Sequence, residues 1–153
     1  MPMTKLKEFL DTNHVKYVTI NHSLAYTAQE IAAAAHIPGR EVAKTVMVKL
    51  DGAMAMAVLP ATRKVDFVLL KRAAGATDVQ LASEGEFLEL FPGCAPGAMP
   101  PFGNLYDLDV YVAERLAEDE HIAFNAGSHV ELLQLMFDDF RKLVVPTMVK
   151  LSQ

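Results

Sequence analysis

One lysine in the chain occupies a position where a positive charge is unusual. Lys44 lies near the start of an apolar stretch that reads AKTVMV over residues 43–48. In an extended strand Lys44 shares one face with Val46 and Val48. Thr45 lies on the opposite face. Because burying an ammonium is costly without a partner, this lysine either binds an anion or lies at a strand end with its ammonium in water.

A segment rich in proline and glycine is the second candidate. Residues 91–103 read FPGCAPGAMPPFG, and seven of these 13 residues are Pro or Gly. Glycine lets the backbone approach a ligand closely, and proline stiffens the chain. The loop could direct backbone N–H groups toward an anion or a developing oxyanion, or it could be only a stiff surface connection.

The third candidate is the sequence NAGSH at residues 125–129, a predicted turn with a histidine where the next strand begins. His129 is interpreted either as a structural residue or as a general base. Ser128 precedes it, and in an extended chain the two side chains would point to opposite faces and could not form a Ser–His pair. Cys94 is either a small buried hydrophobic residue or a nucleophile that reaches His129 through folding.

The sequence does not indicate metal or cofactor chemistry. The five histidines show no i, i+4 spacing, and a single cysteine excludes a Cys-rich zinc site. There is no P-loop and no glycine-rich dinucleotide-binding motif. We therefore expect no metal and no other cofactor.

Composition predicts one globular domain with an uneven charge. The chain has 153 residues, and 52% of them are apolar, which suits a single core. Residues 1–75 hold 10 basic and 6 acidic side chains, whereas residues 76–153 hold 4 basic and 13 acidic ones. Such a chain is a poor candidate for non-specific duplex DNA binding, although its basic half could meet a short nucleic acid. No apolar run could span a membrane and residues 1–14 do not resemble a secretory signal, so we expect a cytoplasmic protein.

Local patterns predict the elements that must position these candidates. Thr caps, capping boxes and apolar periodicity predict helices at residues 4–10, 27–36, 65–73, 83–90 and 138–144. Runs of β-branched and aromatic residues predict strands at residues 17–20, 43–50, 53–59, 110–113, 122–125 and 130–135. Asp51-Gly52 predicts a hairpin, and Pro38-Gly39 is expected to end the second helix. Without regular βαβ alternation, we predict one α+β domain over residues 1–153, built around a mixed, mostly antiparallel sheet.

Taken together, these segments resemble one protein family. The resemblance is carried by HSLAYTAQE at residues 22–30, VAKTV at 42–46, GAMPPFG at 97–103 and FNAGSH at 124–129. The lysine–threonine strand and the GxxxP spacing are its most specific elements. On these motifs the chain is similar, over essentially its whole length, to the YbaK/prolyl-tRNA synthetase-associated editing domains, which are aminoacyl-tRNA deacylases.

The resemblance implies a mixed α/β fold with a curved sheet and a surface pocket. It implies a free-standing, trans-editing hydrolase that cleaves the ester joining a wrong, small amino acid to tRNA-Pro or a related tRNA. The implied partners are the acceptor 3′ end of the mischarged tRNA and an aminoacyl-tRNA synthetase, with no DNA and no membrane. We expect the tRNA to approach the basic half, which contains Arg40, Lys44, Arg63, Lys64, Lys71 and Arg72.

The resemblance also assigns roles to particular residues. Lys44 matches the family's functional lysine and is the expected catalytic residue. The other matched positions are expected to bind substrate: Gly97, Ala98, Met99, Pro101, Gly127, Ser128, His129, Thr45, His22, Tyr26 and Thr27. In the expected mechanism, loop N–H groups near residues 97–99 hold the oxyanion and Lys44 positions a phosphate or the α-carbonyl. The 2′-hydroxyl of the terminal adenosine orients the water.

One departure and one alternative function bear on this interpretation. Free-standing alanyl-tRNA deacylases of the family carry an HPxxN-type segment where this chain reads NAGSH, so the resemblance does not assign the amino acid. The alternative is a non-catalytic module that binds aminoacyl-adenosine or tRNA, or that contacts a synthetase. Lys44 and the GxxxP loop together favour the enzyme, because an interaction domain needs neither.

Overall fold

Capping residues, a tight turn and apolar periodicity produce most of the elements of the fold. In the computed structural model, which describes residues 2–25, 27–91, 94 and 98–152, the chain forms five α-helices and eight strands. The helices are α1 (Pro2–Thr12), α2 (Ala28–Ala35), α3 (Phe67–Ala74), α4 (Glu84–Phe87) and α5 (Phe137–Val144). The strands are β1 (Tyr17–Asn21), β2 (Val42–Leu50), β3 (Ala53–Pro60), β4 (Val79–Leu81), β5 (Asp109–Ala113), β6 (His121–Asn125), β7 (Glu131–Met136) and β8 (Thr147–Val149).

These eight strands belong to one mixed sheet. Its order is β1-β7-β6-β2-β3-β5-β8, and β4 pairs with the end of β2 that is distant from β6. The pairs β1–β7, β6–β7, β2–β3 and β2–β4 are antiparallel. The pairs β2–β6, β3–β5 and β5–β8 are parallel. The prediction of a mixed, mostly antiparallel sheet in an α+β domain is confirmed.

The sheet buries apolar side chains on both faces. Along β2, Met47 packs into the main core with Phe102, whereas the next residue, Val48, packs into a second cluster with Leu70 of α3. Because successive side chains of a strand point to opposite faces, these clusters lie on opposite sides of the sheet. Helix α2 packs through Ile31 on the same face as α3. The half-buried positions of β2 on this face are therefore enclosed by two helices.

The strongest local signals are confirmed. Strands β2 and β3 form a hairpin around Asp51 and Gly52, which both have positive φ, at 51° and 86°, as the favoured two-residue turn requires. Thr27 caps α2 through the predicted capping box with Glu30. The helix predicted at residues 65–73 is present as α3, and its cap, Asp66, was not predicted.

Other local predictions are wrong in detail. Helix α1 begins at Pro2, whose ring suits the first helical turn, so Thr4 lies inside the helix and is not its cap. Helix α2 ends at Ala35, before Pro38, because His36 adopts the left-handed conformation that ends a helix. The sequence also failed to predict β4 and β8, because three residues are too few to show alternation.

Candidate active site

Strands that run in the same direction bring several candidate residues together. Strand β7 is antiparallel to both β1 and β6, so β1 and β6 run in the same direction, and β6 is parallel to β2. Strand β6 pairs only with the first two residues of β2, Val42 and Ala43. Lys44 is therefore the first residue of β2 beyond that pairing, beside the carboxyl end of β6 at Asn125.

Lys44 is half-buried on the face of the sheet that α2 and α3 cover. Along β2, Val42 packs against α2 and Val48 against α3, and Lys44 shares their face by alternation. Burial lowers the pKa of Lys44 below that of an exposed lysine, and the charge of nearby Lys64 lowers it further. Among the described residues, no carboxylate forms an ion pair with Lys44. A partly desolvated cation beside a second cation is suited to receive an anion.

A surface pocket of about 270 Å³ contains Lys44. Its lining consists of Thr27, Gln29, Lys44, Ala61, Thr62, Arg63 and Lys64. Three of these residues are cations and none is a carboxylate, so the pocket is electropositive. A larger cavity of about 420 Å³ lies at Arg115, Lys150 and Leu151 and includes none of the predicted site residues. The size of a cavity therefore does not single out the Lys44 pocket; what distinguishes this pocket is a lining with three cations and no carboxylate.

The N-terminus of α2 forms one wall of this pocket. Thr27 Oγ1 accepts a hydrogen bond from the Glu30 N–H at 3.1 Å, and the Thr27 N–H donates to Glu30 Oε1 at 3.1 Å. This capping box fixes the first turn of α2 in the wall that faces Lys44. The positive end of the helix dipole adds to the positive potential of the pocket.

The proline- and glycine-rich loop lies against the NAGSH turn. The Gly127 N–H donates to the Ala98 carbonyl oxygen at 2.9 Å. Gly127 has a φ of 103°, which favours glycine, and it is buried. Ala98 is fully buried, Pro101 is buried, and Met99 packs in the main core. The expectation that loop N–H groups near residues 97–99 hold the oxyanion stays a prediction, because Gly97 lies outside the described residues and both Ala98 and Met99 are buried in this arrangement.

His22 extends from β1 toward the same turn. Its N–H donates to the Val130 carbonyl oxygen at 2.9 Å, and the Ala25 N–H donates to the His129 carbonyl oxygen at 3.4 Å. His22 Nδ1 lies 2.7 Å from the Ser23 carbonyl oxygen. Because a carbonyl only accepts, Nδ1 is the donor in this contact. The Nε2 atom of His22 is buried, and no described residue bonds to it.

Ser128 and His129 lie in the turn before β7, so the prediction that the strand begins at the histidine is wrong. Strand β7 begins at Glu131, and Ser128 Oγ accepts a hydrogen bond from the Val130 N–H at 3.4 Å. The argument that their side chains must point to opposite faces holds for an extended chain and does not apply to a turn. The Ser128 hydroxyl stabilises the turn that follows Gly127.

The Thr45 side chain points to the face of β2 opposite to the one that carries Lys44. It pairs with Val58 of β3, whose side chain belongs to the main core. The structure therefore separates the Thr45 side chain from the pocket that Lys44 lines. Gly97 and Tyr26, which were also predicted to bind substrate, lie outside the described residues.

Other kinds of chemistry receive little support from the described residues. Cys94 is half-buried, and burial raises the pKa of its thiol, so the thiolate that a nucleophile needs is disfavoured. Within the described ranges, no three His, Cys, Asp or Glu side chains are grouped as metal ligands would be. None of the helices in the described part of the chain is long and apolar enough to cross a bilayer.

The sequence analysis did not assign five of the pocket residues to the pocket: Gln29, Ala61, Thr62, Arg63 and Lys64. The sequence did contain a signal for Arg63 and Lys64. The hairpin register pairs Ala43 with Pro60, so the cations that follow β3 in the sequence ATRK must lie near Lys44. That register follows from the Asp51-Gly52 turn alone.

Comparison with known proteins gives four findings. The family model described as aminoacyl-tRNA editing domain matches residues 22–143. A proline–tRNA ligase of Staphylococcus saprophyticus subsp. saprophyticus is 30% identical over 95 residues, which are 61% of this chain and only 16% of the ligase. A crystal structure described as a candidate trans-editing enzyme for prolyl tRNA synthetase has a TM-score of 0.84 at 21% identity, covering 99% of this chain and 97% of that one. A second crystal structure, of a protein described as hypothetical, has a TM-score of 0.86 at 21% identity. That match covers 97% of this chain and 99% of the other one.

Proposed function

Because the chain belongs to the aminoacyl-tRNA editing domain family, we propose that it hydrolyses the ester bond between a wrong amino acid and the 3′ end of a tRNA. The observation that carries the proposal is the half-buried Lys44 in a pocket lined by three cations and no carboxylate. The 3′ end of an aminoacyl-tRNA brings phosphates and an ester carbonyl to the protein. These are the groups that such a pocket binds.

The proposed reaction needs no strong protein nucleophile, because an aminoacyl ester is already activated. Water attacks the ester carbonyl, the bond from the carbonyl carbon to the ribose oxygen breaks, and a free amino acid and a ribose hydroxyl result. Lys44 holds the terminal phosphate or the carbonyl oxygen by charge. Lys44 lines the pocket and Ala98 does not, so the developing oxyanion is assigned to Lys44. The 2′-hydroxyl of the terminal adenosine orients the water.

The substrate in this proposal is a small amino acid on tRNA-Pro or a related tRNA. The support is the sequence similarity to a proline–tRNA ligase and the structural similarity to a protein described as a candidate trans-editing enzyme for prolyl tRNA synthetase. The chain spans 16% of the length of that ligase, so the ligase's own reaction is not transferred to it. We propose that residues 1–153 act in trans, in the cytoplasm, with a synthetase as a further partner.

A deacylation assay tests the proposal. The purified protein is incubated with alanyl-, seryl-, cysteinyl- and threonyl-tRNAs, each prepared on tRNA-Pro and on the cognate tRNA, and release of the amino acid is followed. We expect one small amino acid to be released faster than by buffer alone. We also expect the Lys44→Ala protein to lose most of this activity while retaining its circular dichroism spectrum.

The same assay separates the enzyme from the non-catalytic alternative. Binding of tRNA without release of any amino acid would favour a binding module. Release that is undiminished in Lys44→Ala would contradict the assignment of the site. The matched control is Lys49→Ala, which removes a lysine from the same strand outside the pocket.

A further inference from the structure

One buried polar atom beside Lys44 has no hydrogen-bond partner among the described residues, and we propose that it binds the α-ammonium group of the aminoacyl ester. The atom is Oδ1 of Asn125, the last residue of β6. It is buried, and no described residue donates a hydrogen bond to it. Buried acceptors are almost always paired in folded proteins, so an unpaired one beside a pocket indicates where a ligand donates. The inference rests on the proposed function, because that reaction supplies the ammonium.

The pairing of β2 with β6 places Asn125 next to Lys44. Ala43 pairs with Phe124 in the parallel register, so Lys44 and Asn125 are the next residues along each strand. Neighbouring strands lie about 4.8 Å apart. Asn125 is therefore the residue of β6 nearest to Lys44, at the point where β6 ends and β2 continues.

Both side chains project from the same face of the sheet. Val42 and Ala123 lie two residues before Lys44 and Asn125, and both pack in clusters that α2 covers. Since residues two apart in a strand share a face, the Lys44 ammonium and the Asn125 amide lie on the α2 side. His22 Nε2 is another buried polar atom to which no described residue bonds, and it lies near the end of β1.

An α-ammonium group matches the Asn125 acceptor better than the phosphates or the ester carbonyl of the substrate do. A protonated amine has three N–H donors and no acceptor, whereas phosphates and the ester carbonyl only accept. One aminoacyl group could therefore place its carbonyl oxygen toward Lys44 and its ammonium toward Asn125. The arrangement predicts selection for a free α-amino group, so N-acylated esters such as peptidyl-tRNA would be poor substrates.

The test compares two esters that differ only at the α-nitrogen. Alanyl-tRNA is converted into lactyl-tRNA by nitrous acid, which replaces the ammonium with a hydroxyl; if serine is the released amino acid, seryl- and glyceryl-tRNA are used. Rates are divided by the alkaline hydrolysis rate of each ester. We expect the wild-type protein to prefer the ammonium-bearing ester at least tenfold. We expect Asn125→Ala to reduce that preference to about twofold, and Asn125→Asp, which adds a negative charge, to increase it.

Each outcome either supports or overturns the inference. A merely structural asparagine would leave the preference unchanged in variants that fold, and that result would overturn the ammonium site. Equal rates for the two esters with the wild-type protein would overturn it without any variant. Hydrolysis of neither ester would instead count against the proposed function, so the two failures are distinguishable. Asn104→Ala, at an exposed asparagine outside the pocket, is the matched control and should keep the wild-type preference.

Discussion

Strand β2 carries two partly buried lysines, Lys44 and Lys49, which differ in the charges around them. Lys49 lies beside the hairpin turn, and its Nζ is 2.6 Å from Glu86 Oε2. Lys44 is half-buried beside the end of β6, and the nearby charge is the like charge of Lys64. The first lysine has its counter-ion within the chain, whereas no described carboxylate pairs with the second.

This difference separates a structural cation from a candidate binding residue. The Lys49 pair satisfies both charges, and it lowers the pKa of the Glu86 carboxyl to about 2, together with hydrogen bonds from Ser83. At Lys44 the environment opposes the charge instead of compensating it, so the pKa is lowered. A charged lysine is unfavourable in such a position unless an anion from outside the chain binds to it and compensates its charge. Two identical residues in one strand therefore indicate different roles.

The largest expected effect is the difference in deacylation activity between Lys44→Ala and Lys49→Ala. We expect Lys44→Ala to reduce deacylation by about 100-fold or more, which is typical for loss of a group that stabilises a developing charge. We expect Lys49→Ala to keep activity within about threefold, because it removes only an ion pair outside the pocket. The measurement is kcat/KM on the fastest substrate of the tRNA panel. An equal loss in both variants would mean that the contrast between the two lysines has no functional meaning.

The second effect concerns the cation that accompanies Lys44. If Lys64 contacts a phosphate of the tRNA end, Lys64→Ala should weaken tRNA binding and make its dependence on salt less steep. The slope of log K against log[salt] should fall by about 0.7, which is the value for one contact to a single strand. Lys142→Ala, which removes an exposed lysine from α5, should leave that slope unchanged. A steeper slope in Lys64→Ala would contradict the contact.

A smaller effect, on the affinity for tRNA, should appear at alkaline pH. The pKa of Lys44 is lowered by burial and then by Lys64, so Lys44 loses its charge at a lower pH than an exposed lysine does. Binding of an anion should weaken as pH rises through that lowered pKa. Lys64→Ala removes the second cause and should move the loss of binding to higher pH, although the larger cause, burial, remains. The measurement is tRNA affinity against pH, and a shift to lower pH would contradict the coupling of the two lysines.

Features with a local cause could be predicted from the sequence. The Asp51-Gly52 turn sets the β2–β3 register, and Thr27 with Glu30 fixes the start of α2, because both depend on residues within a few positions of each other. Alternation also predicts correctly that Lys44 and Thr45 lie on opposite faces of β2. Only the resemblance to a family placed Thr45 among the substrate-binding residues, and its position on the main-core face does not support that role.

Features that depend on distant pairing could not be predicted. The parallel pairing of β2 with β6 joins Val42 to Ala123, which are separated by most of the chain, and no local pattern specifies it. That pairing places Asn125 beside Lys44, so a residue that sequence reasoning named only as part of a motif becomes a candidate for the site. The burial of Ala98 is likewise set by its contact with Gly127 across the fold. Sequence thus identified the lysine, and the fold identified its neighbours.

The smallest expected effect concerns the stability that the Lys49–Glu86 pair provides. The Glu86 carboxyl has its pKa lowered to about 2 in the folded chain, against an ordinary value near 4.5. Its stabilising effect is therefore fully present above about pH 4.5 and is lost as the pH falls from there through about 2. Glu86→Gln should make the free energy of unfolding less dependent on pH in that range. Lys49→Met should act in the same direction, because Lys49 is the largest cause of the lowered pKa of Glu86. The measurement is urea unfolding between pH 2 and 7, with Glu84→Gln, at an exposed carboxylate on the same helix, as the control. A Glu86→Gln protein with the acid profile of the wild type would show that the counter-ion of Lys49 contributes nothing to folding, and the contrast with Lys44 would then rest on location alone.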